Sequence, residues 1–136
     1  MKRLKLHLTL SIFLLVLMSF TAKLTPQQNS FGPWKTSTCF KGLDFCVKKG
    51  SYHQPSGTYM WTVKFRNRYN VKIHFNCVLA ASNATSANTR ERDEISPNEE
   101  FENDFFVADA NNVRVFVDKM RFGNEDYGEY ANCDND

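Results

Sequence analysis

From Trp34 to Phe122 apolar side chains recur at every second position, the period of a strand with one buried face. The clearest stretch, residues 59–77, reads YMWTVKFRNRYNVKIHFNC, an apolar comb whose gaps hold Lys, Arg and His. The same alternation marks WKTSTCF, LDFCVKKGSY, VKIHFNCVL, DFFVA and VRVFVDKMRF as strands, with a short edge strand towards Ile95. Turn chemistry separates them at Lys41-Gly42, Ser96-Pro97-Asn98 and Asp109-Ala110-Asn111-Asn112. The best helical competitor, TRERDEISPNEEF, has too few apolar positions and is interrupted by Pro97. The pattern therefore predicts an all-β domain, an antiparallel β-sandwich of about seven short strands. An immunoglobulin- or fibronectin-III-like Greek key is the preferred topology, on strand number and length alone. The order Cys46…Trp61…Cys77 is too tightly spaced to assign an immunoglobulin domain. Predicted core residues are Trp61, Val63, Phe65, Ile73, Phe75, Val113, Val115 and Val117.

The two best strands are expected to form a hairpin. A three-residue connection at Asn67-Arg68-Tyr69 pairs Phe65 with Val71, Val63 with Ile73 and Trp61 with Phe75, all on one face. The opposite face then displays Thr62, Lys64, Arg66, Lys72, His74 and Asn76, with Lys64 directly across from Lys72. Such a like-charged pair is destabilising by about 0.2–1 kcal/mol. Solvent, acids within the domain (Asp118, Asp104 or Glu102) or an anionic partner should offset it, and the first two are preferred. Aromatic and basic sets point opposite ways, so the ribbon is not a stacking platform for nucleic acid.

The N-terminus changes the picture. Lys2, Arg3 and Lys5 precede the apolar run LTLSIFLLVLMSF, which has the length of a signal-peptide core and is short for a membrane span. Residues 1–22 are read as a signal peptide, 23–33 as a polar leader, 34–122 as the domain and 123–136 as an acidic tail tied back by Cys133. With the three basic residues of 1–22 set aside, 14 basic residues face 15 acidic ones. A mature chain so near neutrality gives no global argument for nucleic acid or an anionic membrane. A secreted, periplasmic or extracellular location is expected, with no membrane span in the mature chain.

All four cysteines (Cys39, Cys46, Cys77 and Cys133) fall in the mature part, and two disulfides of undetermined pairing are expected. No CxxC pair accompanies the isolated histidines, so neither a metal nor a cofactor site is predicted. His53 and His74 are the histidines of the mature chain, and neither neighbours a recognisable nucleophile. The acids of the tail could ligate calcium, but their spacing fits no EF-hand loop. Asn83-Ala84-Thr85 is an N-glycosylation sequon, meaningful only in a eukaryotic source. The expected function is non-catalytic: a binding or structural module for an extracellular protein or glycan. Lys64, Arg66, Lys72, His74, Tyr52 and His53 are the candidate contact residues. The first alternative is a carbohydrate-binding module using Tyr52, Trp34 or Phe116 as a platform. The second is a small secreted hydrolase.

Overall fold

The computed structural model describes residues 30–87, 91–109, 111–124 and 129–134. The signal segment and most of the polar leader lie outside them. Among the described residues there are seven strands and no helix: β1 (Lys35–Thr36), β2 (Leu43–His53), β3 (Thr58–Asn67), β4 (Ile73–Ala81), β5 (Glu91–Ile95), β6 (Glu100–Val107) and β7 (Val113–Phe122). They form two antiparallel sheets, one ordered β1-β2-β3-β6 and the other β5-β4-β7. β3 hydrogen-bonds to β2 and β6 in the first sheet, and β4 to β5 and β7 in the second.

Alternation builds the core from both sheets. Trp61, Val63 and Phe65 of β3 are buried, as are Ile73, Phe75, Cys77 and Leu79 of β4, with Phe105 and Val107 of β6 and Met120 of β7. The Phe65 and Phe75 rings meet edge to face with centroids 5.1 Å apart, a geometry that adds to area burial. Fully burying each such side chain contributes about 1.5–3 kcal/mol. The predicted Val113, Val115 and Val117 pack against this cluster while half-buried. Met120, not predicted, enters the core because Lys119 takes a positive φ of 52° and the β4–β7 register shifts beside it. The extra residue reverses the phase of the strand.

The predicted β3–β4 hairpin is not formed, because the two strands belong to different sheets. Asn67 is the reason. Its side chain is fully buried at the end of β3, where its amide nitrogen donates to the carbonyls of Val71 (2.8 Å), Ile95 (3.1 Å) and Ser96 (3.1 Å). Its amide oxygen accepts from the Tyr69 backbone N–H at 2.9 Å. The Arg68 N–H donates to the Gly42 carbonyl at 2.7 Å. These bonds carry residues 68–72 across from one sheet to the other. The inner faces were legible because both strands look into one core, whatever their pairing. Val71 is the exception and is exposed.

The single disulfide among the described residues joins Cys39 to Cys133, so the expectation of two bridges is corrected. Cys46 and Cys77 are free and buried. Cys46 lies opposite Lys64, on the side of β2 turned away from the core, whereas Cys77 points into the core from the other sheet. Side chains so directed cannot be bridged without moving backbone. The tail is pinned further: the Asp134 N–H donates to the Cys39 carbonyl (2.8 Å), and its carboxylate accepts from the Lys41 N–H (2.7 Å) and the Tyr69 hydroxyl. Asp134 thus serves the fold, and most of the other tail acids lie outside the described residues.

Candidate functional site

The basic residues predicted to share one outer face are divided between the sheets, and each meets a carboxylate. Lys64 pairs with Glu102 at 2.7 Å and Glu100 at 3.6 Å, while Lys72 pairs with Glu94 at 2.9 Å. The expected Lys64–Lys72 repulsion does not arise. Arg66 and Arg68 converge on the buried Asp44, at 2.9 and 2.8 Å, and Thr36 donates to the same carboxylate at 2.8 Å. Burial alone would raise the Asp44 carboxyl. The hydrogen bonds from Arg66, Thr36 and Arg68 outweigh it and hold the group below its ordinary value.

The leader adds a second cover to this face. The Phe31 ring lies beneath the Lys48 and Lys64 ammonium groups, at 4.7 and 4.8 Å, and the Trp34 ring beneath the Arg66 guanidinium at 4.3 Å. Cys46 is buried on this side, and burial pushes its thiol up, away from the reactive thiolate. Lys64 and Arg66 are therefore components of the fold's own charge network.

His74 is also removed from solvent. Its ring is 3% exposed, with Nδ1 3.5 Å from a Glu94 oxygen and Nε2 3.1 Å from the Gly123 carbonyl. His53 is exposed at the end of β2, its Nδ1 2.9 Å from Ser56 Oγ and its ring edge-on to Phe106. This is a serine–histidine contact within one solvent-facing turn, and no carboxylate among the described residues orients the ring. Among the described residues no group of three His, Cys, Asp or Glu side chains is placed to hold a metal ion.

A concave surface lies elsewhere. A cleft of about 670 Å³ opens between the β1–β2 edge of the four-stranded sheet and the residues that begin β7 in the other. Its size falls within the range of small-ligand sites. Three aromatic rings line it: Trp61, nearly buried, Tyr59, half-buried, and Tyr52, 50% exposed. The Trp61 indole N–H donates to the Asp109 carbonyl at 3.2 Å, and the Tyr52 and Tyr59 rings meet at 4.9 Å. Polar groups converge from Lys35, Lys49, Asn111 and Asn112. The Lys49 ammonium lies 4.2 Å from the centre of the Tyr59 ring.

A bulge in β2 places Tyr52 there. Lys49 pairs with Trp61 but Tyr52 with Tyr59, so β2 has one residue more than its partner across Gly50 and Ser51. Strict alternation from Lys49 would have turned Ser51 inward and Tyr52 outward. The bulge exchanges them, bringing Tyr52 to the face of Trp61 and Tyr59. Gly50 sits at the tightest point, where an added Cβ would come within 2.8 Å of Met60.

Of the six predicted contact residues, the structure brings only Tyr52 to the cleft. Trp34 is moderately exposed but is stacked on Arg66, and Phe116 is half-buried on β7. Lys35, Lys49, Tyr59, Asn111 and Asn112 carried no sequence signal as a site, because they come together only when the β1–β2 edge meets the β6–β7 turn. Asn83 is exposed just beyond β4. No helix among the described residues is long and apolar enough to cross a membrane. The disulfide suits an oxidising compartment. Compared with known proteins, the chain matches no family model, no curated protein and no solved structure.

Proposed function

We propose that this chain is an exported, non-catalytic binding module, a β-sandwich that receives a saccharide in the cleft at one open edge between its sheets. The shared core of the two sheets, and the return of β6 beside β3 after the β4–β5 excursion, support a Greek-key sandwich. The observation that carries the functional reading is the trio Tyr52, Tyr59 and Trp61 in one cleft beside the amide side chains of Asn111 and Asn112. Aromatic faces offer an electron-rich platform to the C–H face of a sugar ring. Carboxamides supply paired donors and acceptors for its hydroxyls. The serine–histidine contact of the β2–β3 turn gives no comparable support to hydrolysis, since it lies in an open turn with no orienting acid.

The test is retention of the folded chain on an oligosaccharide array. Tyr52→Ala removes the exposed ring and is expected to lower affinity about fivefold or more, given the 1–3 kcal/mol carried by a stacked aromatic contact. Its thermal midpoint should stay near that of the parent. Equal retention of parent and variant, or no retention of either, overturns the proposal.

A further inference from the structure

We infer that the saccharide taken by this cleft is acidic, a uronic-acid-containing oligomer whose carboxylate is received by Lys35 and Lys49. The inference rests on the saccharide reading above and goes further by specifying charge. Its ground is a contrast within the molecule. Lys64 and Lys72 hold glutamates, and Arg66 and Arg68 share Asp44. Lys35 and Lys49, both at the cleft, have no carboxylate partner among the described residues.

Among the described residues the lining contains no Asp or Glu. The acid nearest in sequence to the lining asparagines is Asp109, and its own turn occupies it. It accepts from the N–H groups of Asn111 (2.8 Å) and Asn112 (3.4 Å) and from the N–H (3.4 Å) and hydroxyl (3.3 Å) of Ser82. Those bonds hold the cleft's polar rim in place.

The two cations are also positioned. Register sets Lys35 opposite Phe45 and Lys49 opposite Trp61, so both belong to the core-facing side of their sheet, at its open edge. Lys49 is held over the Tyr59 ring, a contact with the ring face that leaves its N–H donors for a ligand. A carboxylate bound there would gain charge-assisted hydrogen bonds, with its sugar ring against the aromatic wall. The mature chain is close to neutral, so the positive potential of this cleft arises from local placement.

The experiment uses the full mature chain on immobilised oligogalacturonate, on the same oligomer with its carboxyl groups reduced to alcohols, and on an acidic glutamate-rich peptide. The expected result is retention on oligogalacturonate, at least tenfold weaker retention on the reduced oligomer, and none on the peptide. The Lys35→Gln/Lys49→Gln double variant should lose the preference for the acidic oligomer while keeping its thermal midpoint. Raising ionic strength should weaken the acidic arm alone. Equal retention on the acidic and reduced oligomers overturns the inference and leaves the saccharide reading standing. Retention on the peptide matching that on oligogalacturonate overturns it in favour of a protein partner. No retention on either oligosaccharide overturns both.

Discussion

Tyr69 shows how much one residue can hold together. Its ring packs on Gly42, where any Cβ would fall 2.5 Å from the ring carbons, and meets Phe122 edge to face. Its hydroxyl donates to Asp134, the residue after the disulfide-bonded Cys133. Burial, and then that hydrogen bond, push the phenol from its ordinary 10.0 up to about 12. A raised folded value means the folded chain keeps its proton after the unfolded chain has released it. The contribution is therefore whole below pH 10 and declines as the pH rises towards 12. Phenolate absorbance of the native chain should show a tyrosine ionising near pH 12. Asp134→Asn should bring that tyrosine down towards its ordinary value. An unaltered titration would refute the link between ring and tail.

The element scale explains what a period of two could and could not disclose. Alternation along β3 and β4 identified Trp61, Val63, Phe65, Ile73 and Phe75 as core because each strand is regular where these residues lie. The same rule could not see the partners. A fully buried Asn67, ordinarily a turn residue, ends β3 and directs the chain into the other sheet through its side-chain amide, a tertiary use of a local signal. Both departures from alternation that matter are bulges. One turns Met120 into the core, and the other turns Tyr52 into the cleft. Neither has a sequence mark beyond Gly50 and Lys119, so the aromatic wall was not legible as a site. Deleting Ser51 is accordingly expected to restore regular pairing across Gly50 while Tyr52, then two positions from Lys49, stays opposite Tyr59 on the cleft side, so saccharide retention should survive. The β-sheet circular dichroism signal should persist. Lost binding in that deletion would show that the bulged backbone itself, and not only the facing of Tyr52, shapes the wall.

At the scale of the molecule, the two-sheet body is closed by one long covalent loop. Cys39 and Cys133 are 94 positions apart in sequence, and crosslinking a loop of that size removes about 4–5 kcal/mol of denatured-state entropy. For a domain of about a hundred residues this is a large fraction of a typical total stability. Cys133→Ser is expected to lower the denaturant midpoint by an amount equivalent to about 4 kcal/mol, with the slope of the transition altered by the more expanded unfolded chain. Cys46→Ser and Cys77→Ser, which break no bridge, should leave any effect of reductant on stability in place. A reductant-insensitive midpoint in the parent chain would contradict the bridge.

The same closure decides how the domain bears load. The Cα atoms of Cys39 and Cys133 lie 4.6 Å apart, so a tension applied at the two ends of the domain passes through the sulfur–sulfur bond. The strands between them carry none of it. Pulled while oxidised, the chain extends only outside that loop: β1, which brings Lys35 to the cleft, peels from β2, while β2 to β7 are spared forces that would unzip an uncrosslinked pair of sheets.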